Sequence, residues 1–492
     1  MIKKQKYNAE DQLYLTSMMV SKFICPYYKQ KVVWNPMIPF DRYVLPSTAE
    51  WISKYIYKQN LCQYRTLEDP LASMKNIRAD LVKQTGITGK GVKIGILEMG
   101  EIDIKDHELI HLNIESNPDM DTLEKKDFHT TLVSKIIAGK TLGIVPNTKL
   151  YYSRYLTEKQ FRSGIEWLIK QGCNIINFSA AFEGANPNEE LGTYTELANW
   201  IDTLAVIHKV HFVKSAGNNK FPYHSPYNSS PDTFWITNPG MAYNIMTVGA
   251  IDDLGTPEWA DDKWGQLRDG TIYSAYEEME GTALKPDLCA PGTNVFSPLI
   301  KDGNSGTSFA APQVTGVIAQ MIEAQPELSW DVGAVRAILA AGTIHRTAND
   351  YGTYKESLFY SDKEGVGVVD AKGAFDIIKK RQYKTFFYHR SAFPYRFIID
   401  VGHGETLKRV SLSWLKLNRI GTDGIPIKPQ LANLDLYILD PDRIEVAHSC
   451  STRSNIEVVE FSPKKTGYYS VIVVAESISR ENEYERIAVA WM

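Results

Sequence analysis

Residues 304–325 read "NSGTSFAAPQVTGVIAQMIEAQ", and the class of the molecule turns on how they are read. From Val314 the apolar residues recur at Val317, Ile318, Met321 and Ile322, one face of a helix with a 3.6-residue period. Pro312 is tolerated in a first turn, where its missing N–H has no intrahelical partner. The pattern therefore predicts a helix beginning within a few residues of Ser308 and placing its hydroxyl at a positive helix end. The small residues around it let another chain approach. Such a serine is either an N-cap or a nucleophile, and the rest of the chain decides between them.

Upstream, between residues 73 and 381, short apolar runs alternate with amphipathic ones. "VKIGIL" (92–97), "KLYYSRYL" (149–156), "CNIINFSA" (173–180), "VHFVKSA" (210–216) and "IMTVGA" (245–250) read as strands. "KQFRSGIEWLIKQ" (159–171) and "LANWIDTLAVIHK" (197–209) read as helices. This alternation predicts an α/β domain: a doubly wound, mostly parallel sheet with helices on both faces. Over residues 382–492 the helical signal stops. "RFIIDVG", "RVSLSWLKL", "LDLYILD", "IEVVEFS" and "YYSVIVVAE" alternate with Gly, Pro and Asp turns, which predicts a β-sandwich domain. Residues 1–72, rich in Tyr, Trp and Lys, form an N-terminal extension.

A chain of 492 residues has room for two or three such units. Its net charge of −4, with no basic block, argues against nucleic acid or an anionic membrane as partner. No apolar run is long enough to cross a bilayer. The first 25 residues carry Glu10, Asp11 and Lys22 and no small-residue cleavage site, which reads as non-secretory. Cys25, Cys62, Cys173, Cys289 and Cys450 are odd in number and in no metal-ligand spacing. That fits a reducing compartment, and the expected location is cytoplasmic.

Two motifs point elsewhere. "HELIH" (107–111) fits H-E-x-x-H, the pattern of a zinc peptidase, but "LNIESNPDMD" follows and breaks the required helix. "GITGKGVKIG" (86–95) lacks the spacing of a phosphate loop and reads as a turn feeding a strand. More telling is a set of four element ends. Strand 92–97 runs into Glu98, and His129 opens the helical "FHTTLVSKIIAG". Strand 210–216 runs into Gly217 and Asn218, and Ser308 precedes the helix of the opening stretch. An acid, an imidazole, an amide and a hydroxyl are the orienter, general base, oxyanion donor and nucleophile of acyl transfer. Together they favour the nucleophile over the cap.

These residues resemble a known family. "GTSFAAPQVTG" with "KPDLCAPGTNVFS" (285–297) is similar to the serine region of subtilisin-like serine proteases. "HTTLVSKIIAG" with "GIVPNTKLYYSRYL" (143–156) resembles their histidine region, and "NIINFSAAF" and "SAGNN" resemble their substrate-strand and oxyanion segments. The resemblance implies Ser308 as nucleophile, His129 as base and Asn218 as donor to the oxyanion. It also implies that Ser179, Ala180 and Ala181 on one side, and Ser215, Ala216 and Gly217 on the other, bind an extended peptide through their backbone.

The chain departs from the family at two places. Glu98 stands where aspartate is usual, and Thr130 and Leu132 replace the glycine and histidine of the usual "HGTH". Glutamate keeps the charge on a side chain one methylene longer, and losing the acid of such a triad costs about 10⁴ in turnover. Asp103, in the following loop, is the rival acid. The expected function is a serine endopeptidase acting on protein or peptide substrates. The alternatives are a catalytically weak or inactive peptide-binding regulator, and the zinc peptidase of "HELIH". No cofactor is required, and calcium is possible but unsupported: the 139–143 connection is short where many members of the family carry a calcium-binding loop, which argues against that site. Residues 382–492 resemble an appended jelly roll, in which Asp440 and Asp442 are the candidate calcium ligands, although aspartates flanking Pro441 are common turn residues. A regulatory partner would act through residues 1–72 or the C-terminal domain.

Overall fold

The computed structural model describes residues 70–120, 123, 125–180, 192–218, 236–251, 283–292, 295–296, 305–344, 365–389, 394–405, 407–417, 419–420, 426–427, 431–477 and 484–492. All belong to the compact unit Arg65–Met492. The expected extension, apart from its last three residues, and Ala181 lie outside the described residues.

Two short helices, α1 (Ala72–Asn76) and α2 (Ala79–Lys83), lead into a seven-stranded sheet. Its strands are β1 (Lys93–Glu98), β2 (Glu115–Ser116), β3 (Lys149–Arg154), β4 (Ile175–Phe178), β5 (His211–Ser215), β6 (Met246–Ile251) and β7 (Leu288–Pro291). They lie in the order β2-β3-β1-β4-β5-β6-β7, and every pairing is parallel. The crossovers carry α3 (Phe128–Ala138), α4 (Glu158–Lys170) and α5 (Glu196–His208); α6 (Thr307–Ala324), α7 (Val332–Gly342) and α8 (Ala371–Lys379) follow β7. Sequence starts these helices locally. Asp127, Thr157, Thr195, Asp331 and Asp370 each cap one by accepting the N–H three residues on.

Alternation along the strands sets what each face sees. Ile94, Ile96 and Ile175 join a core with Val133 and Ile137 of α3 and Val314 and Val317 of α6. Leu97, Ile176 and Phe212 join Phe161 and Leu168 of α4 and Ile201 of α5 on the opposite face. Successive strand residues point to opposite faces, so Glu98, sharing the parity of Ile94 and Ile96, is directed toward α3 and α6. One expectation needs correction: Pro312 is the sixth residue of α6, beyond its first turn. There it removes the N–H that would serve the Ser308 carbonyl. The Gln313 side-chain amide donates both to Phe309 O and to Pro291 O, tying that turn of the helix to β7.

After α8 the chain forms two four-stranded antiparallel sheets and a short ribbon. One sheet contains β8 (Tyr383–His389), β10 (Lys408–Trp414), β15 (Ile456–Phe461) and β17 (Tyr484–Trp491). The other contains β9 (Tyr395–Val401), β13 (Asn433–Leu439), β14 (Glu445–Ser449) and β16 (Gly467–Ser477); β11 (Arg419–Ile420) and β12 (Pro426–Ile427) form the ribbon. Trp414, Leu434, Leu436, Val471 and Val489 fill the space between the sheets. Helix α7 is buried almost all round, because it packs on the parallel-sheet unit and on β10 and β17 together. Ser411 Oγ donates to Ala337 O across that junction at 2.6 Å.

Candidate active site

Glu98, the last residue of β1, is wholly buried. Its Oε1 accepts the Ser179 N–H at 2.6 Å, while Oε2 lies 3.7 Å from His129 Nδ1 and has no hydrogen-bond partner. The extra methylene of glutamate thus hooks the carboxylate onto the end of β4, leaving the imidazole at ion-pair distance. Burial, opposed by the Ser179 N–H and by Lys214, pushes the Glu98 carboxyl up to about 8.

His129 is the second residue of α3. Asp127 caps this helix through Oδ2, which accepts the Thr130 N–H at 2.7 Å and the Thr130 hydroxyl at 2.8 Å. Thr130 therefore uses the place of the family's glycine to anchor an acid two residues from the imidazole, and Leu132 joins the core. Burial lowers the His129 pKa, and the Asp127 charge opposes that shift.

Ser308 is the second residue of α6. The N-cap position belongs to Gly306, which offers no side-chain cap. Ser308 Oγ donates to Ser179 O at 2.8 Å, so in this resting geometry the hydroxyl is directed at the end of β4 rather than at His129. Asn218 is held from the same turn. Its Oδ1 accepts the Thr307 N–H at 3.0 Å and has Thr307 Oγ1 at 3.0 Å, which turns Nδ2 the other way. Gly306, at φ +153°, passes so close that a Cβ there would sit 3.1 Å from Asn218 Nδ2.

These residues converge on a cleft of about 400 Å³ lined by Glu98, Met99, Gly100, Asp127, His129, Ser179, Ala180, Ser215, Gly217, Asn218, Thr237 and Ser308. Four of the six expected peptide-binding residues, Ser179, Ala180, Ser215 and Gly217, are in its wall. Ala216 is buried behind it, and its N–H and C=O are spent on Val248 O and Thr237 N–H. The Ser179 N–H is spent on Glu98 and the Gly217 N–H on Thr307 Oγ1. Ser215 Oγ donates to Ser179 O at 2.8 Å, joining the two strand ends. At this edge of the cleft these groups carry bonds within the protein.

The other candidates lie apart. Asp103 lines a separate depression with Asp106, Phe128 and Lys135. "HELIH" forms turns, Glu108 accepts from Thr141 N–H, Thr141 Oγ1 and Leu142 N–H, and His111 Nε2 lies 3.0 Å from Pro146 O. In the C-terminal sheets Lys465 Nζ bonds both Asp440 and Asp442, at 2.7 and 2.5 Å. Sequence reasoning missed Asp127, Thr307 and Thr237. The cap at Asp127, three residues before Thr130, was readable locally; the other two gain their roles only through distant contacts.

An acid, an imidazole, an amide and a hydroxyl at the carboxyl ends of parallel strands and the amino ends of helices are the arrangement of an α/β acyl-transfer cleft. The family model described as "Peptidase_S8: Subtilase family" matches residues 89–367, and the chain belongs to the subtilase family. It is 30% identical over 166 residues to the serine protease AprX of Bacillus subtilis, covering 30% of this chain and 33% of AprX. It is 26% identical over 316 residues to subtilisin DY of Bacillus licheniformis, covering 61% of this chain and 96% of that protein. The solved serine protease of Aeromonas sobria is similar with a TM-score of 0.45 and 14% identity, over 83% of this chain and 89% of that one. The chain spans less than half the length of the first curated relatives that it matches.

Proposed function

We propose that this subtilase is an active serine endopeptidase. Ser308 attacks the scissile carbonyl, His129 takes the hydroxyl proton and returns it to the leaving amine, and Glu98 orients and stabilises the imidazolium. Asn218 Nδ2 donates to the developing oxyanion. The observation that carries this reading is that all four side chains meet in one cleft. Catalysis needs two adjustments: the Ser308 hydroxyl must swing from Ser179 O to His129, and Glu98 must be ionised. The first is a side-chain rotation of the kind that substrate binding completes.

Every proton transfer in this scheme uses a side chain of the chain itself, so it requires no metal or other cofactor. We read the substrate as a protein or peptide, and neither nucleic acid nor membrane as a partner, from the acidic balance of the chain. The two C-terminal sheets serve as a jelly-roll module that stabilises the catalytic unit, and residues 1–72 are a candidate site for a regulatory partner. We read the setting as cytoplasmic from the cysteine pattern, odd in number and without metal-ligand spacing.

The competing reading is a weak or inactive peptide-binding subtilase, favoured by the 3.7 Å Glu98–His129 separation. A fluorophosphonate probe decides between them. It should label the wild-type chain and fail on Ser308→Ala, and the labelled chain should cleave a peptide library that Ser308→Ala leaves intact, a loss of about 10⁶. A folded wild type that neither labels nor cleaves establishes the inactive reading.

A further inference from the structure

We propose that Lys214 makes the cavity beside Ser308 selective for aspartate or glutamate on the acyl side of the cleaved bond; this rests on the serine-peptidase reading above. Lys214 shares the parity of Phe212, so its side chain leaves β5 on the face away from α6. Its Nζ nevertheless ends among cleft residues. It donates to Ser215 O, to Ser215 Oγ at 3.1 Å and to Thr237 Oγ1 at 3.1 Å. Ser215 and Thr237 both line the cleft. The ammonium therefore lies one hydroxyl behind its wall.

The burial of this amine among neutral acceptors is what favours an acidic ligand, because an arriving carboxylate is the partner that stabilises its protonated form. Lys214 is wholly buried, its three acceptors are uncharged, and among the described residues no carboxylate lies within ion-pair distance of it. A cation in such surroundings attracts any anion that can reach it, far more strongly than it would in water. Burial lowers the Lys214 pKa to about 7 against the opposing charge of Glu98, and an arriving carboxylate would restore the proton.

The path of the backbone says which substrate residue is read. Ser215, Ala216 and Gly217 run directly into Asn218, which faces the developing oxyanion. The side chain entering along this wall belongs to the residue whose carbonyl Ser308 attacks. Gly217, at φ +115°, is packed on Thr237 so closely that a Cβ would lie 2.5 Å from Thr237 Cγ2, which holds Thr237 against that wall. The Thr237 hydroxyl accepts from Lys214 Nζ and donates to Ala216 O at 3.2 Å, so it links the ammonium to the cleft wall and would have to exchange the second bond to meet an entering carboxylate.

The rival role for Lys214 is to keep Glu98 ionised, which would alter all substrates alike. Three peptide diphenyl phosphonates, identical except for a Glu, Gln or Leu analogue next to phosphorus, separate the two on the full chain. The wild type should react with the Glu probe at least about 10-fold faster than with the Gln probe. Lys214→Met should bring that ratio to one or below, and Lys214→Arg should keep a preference for Glu. A wild type that prefers Gln or Leu overturns the proposal, as does Lys214→Met slowing all three probes equally with the ratio kept. If Lys214→Met reacts with no probe, Thr237→Val decides: a reduced Glu/Gln ratio supports the proposal and an unchanged one overturns it. A wild type inert to every phosphonate and to fluorophosphonate overturns the serine-peptidase reading itself.

Discussion

Lys214 and Lys285 are both fully withdrawn from water, yet their surroundings differ. Lys285, at the junction with the C-terminal sheets, has Asp287 Oδ2 at 2.6 Å, and Arg336 Nη2 lies 3.5 Å from the other oxygen of that carboxylate. Arg336 also reaches Asn455 Oδ1 at 2.8 Å and Ile245 O, linking α7, β7 and the C-terminal sheets. At the cleft Lys214 has only neutral acceptors and Glu98 Oε2 has none. The junction matches buried charge with buried charge, which favours a single arrangement; the cleft leaves charge available for a substrate. Variants of the cleft should therefore lose activity and keep or gain stability, and variants of the junction should do the reverse.

The largest expected effect that tests this contrast is at Glu98. Glu98→Gln should lower kcat by about 10⁴, while Asp103→Asn, outside the cleft, should be nearly silent. The wild-type kcat/KM should rise with pH through a midpoint near 8, because the carboxylate is the active form and burial raises its pKa. His129, shifted down, is already neutral there. The stability sign is the opposite. A carboxyl with a raised folded-state pKa stabilises fully below its ordinary value, and that contribution is lost as pH rises toward about 8. Glu98→Gln should flatten this slope and raise Tm above that of the wild type at pH 8, the shift per kcal/mol being small in a unit of this size. A Tm that falls instead would remove Glu98 from the set of residues held at a cost to stability.

Next in size is Asp287→Ala, which leaves Lys285 and Arg336 buried without their carboxylate and frees the Thr247 N–H that bonds Asp287 at 2.7 Å. Thermal or urea unfolding should show a loss of about 3–5 kcal/mol. Fluorophosphonate labelling per folded molecule should stay near wild type. A variant that keeps its stability and loses its labelling would dissolve the distinction between junction and cleft.

The smallest of the three is Asn218→Ala, expected to lower kcat by about 10²–10³ with little change in KM. Since Thr307 orients the amide, Thr307→Val should give a weaker version of the same kcat-selective loss. A change confined to KM would make Asn218 a ground-state binding group and sharpen the assignment of the wall instead.

Much of the architecture was legible because its causes are local. Alternating apolar runs marked the five main strands, and the spacing from Val314 to Ile322 marked α6. The parity of Ile94, Ile96 and Glu98 aimed the acid at one face of the sheet. The small residues around Ser308 marked a close approach. What stayed hidden depends on partners far away in the chain. Pro312 fell outside its expected turn, in a stretch of helix that the Gln313 side chain ties to Pro291 O on a distant strand.

By itself, then, the sequence determined which residues stand at strand and helix ends, since periodicity and caps act within a few positions. The tertiary structure alone decided the strand order, the Ser308 bond to Ser179 O, the fixing of Asn218 by Thr307 and the return of Lys214 Nζ to the cleft wall. Each of those contacts joins segments that only the assembled parallel sheet brings together, and no pattern within either segment encodes the distance between them.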